Sequence, residues 1–229
     1  MSTQKVNTKT YTKIETLYNR SLDGDKKLIP GDYRNKTVRL LKDVTWIGTE
    51  KIDGTNIRVI WDGYSISFAG RTNKAVIPSF LNDKLTEMFC NPETEQVFEQ
   101  LFGEKEVILF GEGYGNRIQK VGQLYRADNS FILFDVYMVE SDLWLQRDAI
   151  EDIARALGID AVPIVFEGTL DEAVAYVKTC PQSTIGTAPM EGIVCKPIVD
   201  VLTRNKERVI VKVKVRDFLD EQKERNENE

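Results

Sequence analysis

The sequence predicts an α+β fold in which antiparallel strands dominate and helices lie between the strand groups. Two observations predict it: several short segments alternate with period 2, and helix start signals stand between them. The chain has 229 residues, of which 41% are hydrophobic and 29% are charged. Such proportions are typical of a globular protein with a full core, so we expect a folded chain.

Seven segments are expected to form strands. Alternating or apolar runs bounded by turn residues lie at residues 45–50, 56–62, 64–69, 107–111, 131–138, 191–196 and 208–215. The second and third segments meet at Asp62-Gly63, a dipeptide that suits the positive φ of a hairpin turn. This pair is therefore predicted to be antiparallel.

Helices are expected at three places between the strand groups. Asn91 and Pro92 have the residue types of an N-cap and a first-turn proline. Residues 145–157 carry apolar side chains at helical spacing. Thr169 and Glu172 form a capping-box pattern, which indicates a third helix start.

The chain shows no internal repeat, no linker-like stretch and no break in composition. Residues 1–229 are therefore expected to form a single domain. Within it we expect an N-terminal segment, 1–44, packed on a core, 45–216, that carries the functional motifs. A charged segment, 217–229, is expected to be a tail.

The composition excludes several kinds of chemistry. The chain has no histidine, so catalysis must use lysine, carboxylates, hydroxyls, cysteine or a bound metal. The three cysteines form no CxxC pair, which fits a reducing cytoplasm, and no segment has the pattern of a signal peptide or membrane span. A net charge of −5 argues against a protein that coats nucleic acid, although it permits a local basic channel.

A lysine, Lys51, ends the first predicted strand in the run EKIDGTN of residues 50–56. It places an amine at a strand end, before a glycine turn, where a ligand can reach it. Considered alone, this run is more often an ordinary strand–turn–strand with surface lysine and aspartate.

Five further fragments make the lysine run more informative than it is alone. They are GRT at 70–72, GEG at 111–113, SFILFD at 130–135, EGIVCK at 191–196 and VKVKVR at 211–216. With the lysine run, they resemble in type and order the motifs of the covalent nucleotidyltransferase superfamily, which contains polynucleotide ligases and mRNA capping enzymes. The resemblance covers about residues 45–216.

Details of the lysine run favour RNA ligases, particularly the RNA ligase 2-like branch. Asn56 stands where DNA ligases and capping enzymes usually have arginine, while Glu50 before the lysine and the GEGYG run also resemble that branch. The resemblance implies a nucleotidyltransferase (ATP-grasp-like ligase adenylation) domain with antiparallel sheets flanking a nucleotide cleft. Because thirteen residues follow Arg216, no C-terminal OB-fold is expected.

The last predicted strand alternates lysine and valine. Period 2 puts Lys212 and Lys214 on one face, with Arg216, and valines on the other. Cations near Lys51 would favour its neutral, nucleophilic form by repulsion and would stabilise charge on a transferred phosphate. Lys51, Lys212 and Lys214 are therefore the expected catalytic residues, although an amphipathic edge strand shows the same alternation.

The resemblance also implies binding residues. Asp53 and Glu191 are expected to organise Mg²⁺ or Mn²⁺, although taken alone they are also typical of turn carboxylates in salt bridges. Phe134 is expected to stack on adenine, whereas in isolation a core role is more common. The residues expected to bind the nucleotide are Glu50, Asn56, Arg71, Glu112, Phe134 and Lys196.

The expected function is that of an ATP-dependent RNA ligase. Lys51 takes AMP from ATP, AMP passes to an RNA 5′-phosphate, and a 3′-hydroxyl displaces it. The expected partners are RNA ends and a protein that supplies further grip on them, with residues 5–39 and 117–126 as basic segments. The alternatives are a DNA ligase or capping-type guanylyltransferase, and a non-catalytic nucleotide-binding module of the same fold.

Overall fold

The computed structural model describes residues 9–22 and 26–219. The strands are, in chain order, β1 (Glu15–Thr16), β2 (Tyr18–Arg20), β3 (Leu28–Tyr33), β4 (Trp46–Glu50), β5 (Thr55–Trp61), β6 (Ile66–Gly70), β7 (Val107–Gly115), β8 (Asn129–Met138), β9 (Leu143–Trp144), β10 (Asp160–Ala161), β11 (Ile164–Gly168), β12 (Gly192–Pro197) and β13 (Val211–Lys214). The helices are α1 (Lys36–Leu40), α2 (Ser79–Phe89), α3 (Pro92–Phe102), α4 (Gly122–Tyr125), α5 (Arg147–Ala156) and α6 (Leu170–Lys178), with a 3-10 helix at Val215–Phe218. The start of the expected N-terminal segment, including Lys5, and most of the expected tail lie outside the described residues.

The described chain forms two compact units. The first unit contains residues 9–12 and 53–162, and the second contains residues 13–22, 26–52 and 163–219. Because each unit is discontinuous in sequence, no linker marks the division, and composition gave no sign of it. The single domain with its three segments stays a prediction.

The first unit contains a sheet with strand order β10-β8-β7-β5-β6, and β9 also pairs with β8. Its neighbours are antiparallel except for β10 and β8. Helices α2, α3 and α5 supply Phe89, Phe98 and Ile150 to the core on one face of this sheet, where Phe131 is fully buried. Residue 111 beside this core must be glycine, because a Cβ there would overlap the Phe131 ring.

The second unit contains a sheet with strand order β1-β13-β12-β4-β11, in which only β1 and β13 are parallel. A small antiparallel pair, β2 and β3, comes from the N-terminal part of this unit. Helix α6 packs Leu170 and Val177 into a core with Trp46, Ile193 and Val213. The fold class predicted from the sequence, α+β with antiparallel sheets, is confirmed.

Several local predictions are confirmed. Strands β5 and β6 form the antiparallel hairpin, with Gly63 at φ 96° and Asp62 Oδ1 accepting from two backbone N–H groups. Asn91 caps α3, and Thr169 with Glu172 forms a capping box at α6. None of the described helices is long and apolar enough to cross a bilayer.

The last predicted strand is shorter than expected. It begins at Val211, because the residues before it pair outside this sheet: Arg208 bridges to Leu202, and the N–H of Val209 donates to Val201 O at 2.9 Å. It ends at Lys214, where the 3-10 helix begins. Arg216 therefore lies in the 3-10 helix and not on the strand, although its side chain lines one depression with those of Lys212 and Lys214.

Candidate active site

Lys51 directly follows β4, beside the first residue of β12. Its backbone N–H donates to Gly192 O at 2.9 Å, and Gly192 pairs in turn with Lys214 of β13. Paired residues project from the same face of a sheet, so Lys51, Lys212 and Lys214 share one face. The alternation predicted for the last strand is confirmed, since Val213 is 2% exposed on the other face.

Glu191 connects the candidate nucleophile with a second lysine. Its Oε2 lies 2.6 Å from Lys51 Nζ, and its Oε1 lies 2.5 Å from Lys214 Nζ. All three side chains are largely buried, with exposures of 16%, 25% and 13% for Glu191, Lys51 and Lys214. Burial alone raises the pKa of Glu191, but the charges of Lys51 and Lys214 outweigh it and lower that pKa. The site therefore holds a carboxylate between two cations, with limited screening by water.

Lys212 lies beside this cluster on the same face of the sheet. Within residues 9–22 and 26–219, its Nζ forms no ion pair and no hydrogen bond. Burial lowers the pKa of Lys212, and the charges of Lys214 and Lys51 lower it further. An anion bound nearby would relieve this repulsion.

Lys196 lies on the same face of the sheet but farther from the cluster. It pairs with Ile47, near the opposite end of β4 from Lys51. The structure does not bring Lys196 to the candidate nucleophile, and its role stays a prediction.

Glu50 projects from the opposite face of the sheet and is 1% exposed. Its carboxylate accepts from Ser183 Oγ at 2.5 Å, Thr184 N at 2.9 Å and Thr184 Oγ1 at 2.6 Å. Glu50 thus fixes the loop of Ser183 and Thr184 beside β4, and its role at the nucleotide stays a prediction. Sequence reasoning missed these two hydroxyl residues, which stand more than 130 positions away.

Two predicted nucleotide-binding residues of the first unit are neighbours. Asn56 of β5 pairs with Glu112 of β7, so their side chains share the face opposite the helix-covered core. Asn56 Oδ1 is buried and accepts no hydrogen bond from the described residues. A buried acceptor of this kind needs a donor, and a ligand hydroxyl can supply one.

Phe134 occupies an irregularity in β8. The register between β7 and β8 shifts between Phe110 and Gly111, which leaves Phe134 as the extra residue of a bulge. Phe131 packs in the core, whereas Phe134 is partly buried with its ring centroid 5.0 Å from that of Tyr11.

Arg71 is exposed just beyond the end of β6. A second arginine, Arg58, forms hydrogen bonds to residues on both sides of Arg71. Arg58 is fully buried and donates to Gly70 O at 2.9 Å, Asn73 Oδ1 at 2.7 Å and Lys9 O at 2.9 Å. Sequence reasoning missed Arg58. Its signal was the presence of one charged residue inside the strand TNIRVIW.

The predicted metal ligands belong to different units. Asp53 lies in the turn after Lys51, and its backbone N–H donates to Tyr125 Oη at 3.3 Å. Among the described residues, no group of three acidic, histidine or cysteine side chains is placed to hold a metal ion. Mg²⁺ commonly takes one or two carboxylates and completes its shell with waters and substrate phosphates. Glu191 is ionised, but both of its oxygens contact lysines, so metal binding by Glu191 and Asp53 stays a prediction.

Comparison with known proteins is consistent with this arrangement. A family model described as RNA ligase matches residues 44–214, whereas no curated protein matches the sequence. An RNA ligase variant from Naegleria gruberi, solved with AMP and Mn, gives a TM-score of 0.64 at 18% identity, over 93% of this chain and 57% of that one. The same organism's RNA ligase with PPi gives 0.64 at 19% identity, over 94% of this chain and 58% of that one. The chain thus spans less than two thirds of those proteins, and at this identity the likeness shows the fold.

Proposed function

The chain belongs to the RNA ligase family, and on this premise we propose that it is an ATP-dependent RNA ligase that carries AMP on Lys51. The observation that carries the proposal is the contact of Lys51 and Lys214 with the two oxygens of Glu191. Through this contact an amine nucleophile at a strand end lies close to a second cation that can stabilise phosphate charge. Covalent nucleotidyl transfer requires both groups.

In the first step Lys51 Nζ attacks the α-phosphorus of ATP. The N–P bond forms while the bond from phosphorus to pyrophosphate breaks, and the electron pair leaves with pyrophosphate. Before attack the ion pair with Glu191 opens and the Lys51 ammonium loses a proton to water, because the attacking nitrogen needs a free lone pair. A second proton leaves the nitrogen for water once the N–P bond has formed. Lys212 and Lys214 then stabilise the charge of the transferred group.

A divalent cation, Mg²⁺ or Mn²⁺, would supply further neutralisation of phosphate charge when bound. Glu191 and, in the first unit, Asp53 are the residues proposed to hold it. The Naegleria ligase structures solved with ATP or AMP and Mn support this choice of cofactors.

The nucleoside is proposed to bind through the first unit. A ribose hydroxyl donates to the buried Asn56 Oδ1, which otherwise accepts no hydrogen bond from the described residues, and Glu112 is its neighbour on the same face. Arg71 is proposed at the ribose and Phe134 against adenine. Lys196 and Glu50 are also proposed to contribute to nucleotide binding.

In the later steps AMP passes from Lys51 to an RNA 5′-phosphate, and a 3′-hydroxyl displaces it. RNA ends as substrate, the RNA ligase 2-like branch and a protein partner that adds grip on RNA are parts of the proposal. Their support is the family match and the resemblance of residues 50–56.

Incubation with labelled ATP or GTP tests the first step. We expect a covalent AMP adduct from ATP, its loss in Lys51→Ala, and normal labelling in the control Lys105→Ala, which changes an exposed lysine. Lys51→Ala should still join RNA that already carries a 5′-adenylate. Labelling by GTP would support a capping-type enzyme, and no labelling by either nucleotide would support a binding module. Unchanged labelling in Lys51→Ala would reject the nucleophile.

A further inference from the structure

Residues 9–12, the first that the structure describes, belong to the first unit and lie against its sheet. We call them the N-terminal strap. Leu109 of β7 faces the helix-covered core, so its neighbour Phe110 faces the opposite side of the sheet. The Tyr11 ring lies on that side, with its centroid 5.2 Å from that of Phe110 and 5.5 Å from that of Trp144. The strap therefore covers part of the face that also carries Asn56 and Glu112.

Contacts of Lys9 hold the N-terminal strap on the sheet. The fully buried Arg58 donates to Lys9 O at 2.9 Å. Lys9 Nζ lies 4.2 Å from the centroid of the Tyr137 ring, donates to Tyr137 Oη at 3.1 Å and lies 3.4 Å from Asp142 Oδ1. Because both the backbone and the side chain of Lys9 are held, Tyr11, two residues later, has few other positions.

Tyr11 contacts the bulge of β8 at three points. Its Oη donates to Oδ2 of the fully buried Asp135 at 2.6 Å. Its ring meets that of Phe134 edge to face, with 5.0 Å between centroids and 75° between planes. It also contacts Phe110, which pairs with Asp135 beside the bulge. A bulged residue has no partner opposite it in the ladder, so side-chain contacts such as these fix the position of Phe134.

The N-terminal strap lies next to the residues proposed to bind the nucleoside. Asn56 pairs with Glu112, and the next pair on the same face of these two strands is Arg58 with Phe110. The two pairs are about 7 Å apart along the strands, since each residue of a strand advances about 3.4 Å. One pair thus carries the proposed nucleoside ligands, and the adjoining pair contacts the strap.

We propose that Tyr11 is a positioning residue for ATP, because it holds the Phe134 ring in the orientation in which that ring stacks on adenine. The inference rests on the proposed function and on the role proposed there for Phe134. Whichever of the two rings presents its edge, at least one face of Phe134 stays uncovered by Tyr11 and can take a base. A ring that is fixed before the ligand arrives loses little freedom on binding, so the contact strengthens ATP binding. Tyr11 adds no group to the transfer step itself.

The test separates positioning from stability with variants of three aromatic residues. Tyr11→Leu removes the ring, Tyr11→Phe removes only the donor to Asp135, and Phe134→Leu removes the proposed stacking partner. The control Phe98→Leu makes the same aromatic-to-leucine change in the helix-covered core of the same unit, where Phe98 is fully buried. Calorimetric titration with α,β-methylene-ATP, from which AMP is not transferred, measures binding, and circular dichroism checks that each variant is folded. Tyr11→Met replaces Tyr11→Leu if the latter does not fold.

We expect Tyr11→Leu to weaken binding of the analogue roughly tenfold, as for loss of one base–aromatic stack, and Phe98→Leu to change it less than about twofold. Tyr11→Phe should stay within about threefold of the wild type, because the ring contact with Phe134 remains. Since Tyr11 acts through Phe134, adding Tyr11→Leu to Phe134→Leu should change the affinity less than about twofold. In AMP attachment, Tyr11→Leu should raise the KM for ATP by the same factor as it weakens binding and leave kcat nearly unchanged.

Five results would overturn the inference: no binding of the analogue by the wild type, wild-type affinity in Tyr11→Leu, wild-type affinity in Phe134→Leu, single effects that multiply in the double variant, or equal weakening by Phe98→Leu. Multiplied effects would show that Tyr11 acts independently of Phe134. Failure of the proposed function looks different, because AMP attachment would then be absent from the wild type while binding of the analogue still depended on Tyr11 through Phe134.

Discussion

Removing the charge of Glu191 is the most direct perturbation of the site. Glu191→Gln keeps the size of the side chain but leaves Lys51 and Lys214 facing each other without an anion between them. The matched control is Glu207→Gln, since Glu207 is exposed. Both variants make the same chemical change.

The expected loss follows from the two contacts of Glu191, 2.6 Å to Lys51 and 2.5 Å to Lys214. A hydrogen bond to a charged group contributes about 1.5–3 kcal/mol, so both together contribute about 3–6 kcal/mol. The amide oxygen of glutamine still accepts one bond, and the desolvation cost of the carboxylate disappears. We therefore expect Glu191→Gln to lower the free energy of unfolding by about 2–4 kcal/mol.

Urea unfolding at pH 7 in EDTA measures this loss, and a double-mutant cycle with Lys214→Met isolates one contact. The coupling free energy between Glu191 and Lys214 should be about 1.5–3 kcal/mol. Because the pKa of Glu191 is lowered in the folded state, its stabilisation is present above the pKa of the unfolded chain. It is lost as the pH falls through the lowered folded pKa, so the difference between wild type and Glu191→Gln should shrink in acid.

The same variant should slow AMP attachment by about 100-fold or more, as expected when a charged group is removed from a phosphoryl-transfer site. The control Glu207→Gln should match the wild type in both assays. A coupling below about 0.5 kcal/mol would refute the reasoning, because it is no larger than that of an exposed ion pair. A wild-type stability for Glu191→Gln at pH 7 would refute it as well.

Three further predictions concern buried groups. Val213→Ala should lower the free energy of unfolding, measured in urea, by about 0.5–3 kcal/mol, because Val213 faces the core. The rate of AMP attachment should stay within threefold of the wild-type rate. A loss of labelling without a loss of stability would contradict this. Glu50→Gln should lower the free energy of unfolding by about 1–3 kcal/mol. The double variant with Ser183→Ala should lose less than the sum of the two single losses, since the two residues share one buried hydrogen bond. Strictly additive losses would argue against that bond. Burial raises the pKa of Cys195 to about 12, so a thiol reagent should modify exposed Cys90 first and Cys195 only on unfolding. Mass spectrometry measures the order of modification. Early labelling of Cys195 would show that its strand opens.

The sequence by itself determined the features that depend on neighbouring residues. The alternation of Lys212 and Lys214 with valines gave the faces of β13, Thr169 with Glu172 gave the start of α6, and the run around Lys51 gave the candidate nucleophile. Local patterns suffice here because side-chain direction in a strand and capping of a helix are set within a few residues. The family followed from the order of six such fragments, and the RNA ligase match supports it.

The tertiary structure alone decided which distant groups touch. Glu191 reaches Lys51 across 140 positions of sequence, and Glu50 turns away from that face to Ser183 across 133. The bulge at Phe134 depends on the register of β8 against β7. Arg20 lines one depression with Lys212 and Lys214 because strand β1, which precedes it, pairs with β13. Strand order and register set these contacts through packing of the whole sheet, which no local propensity specifies.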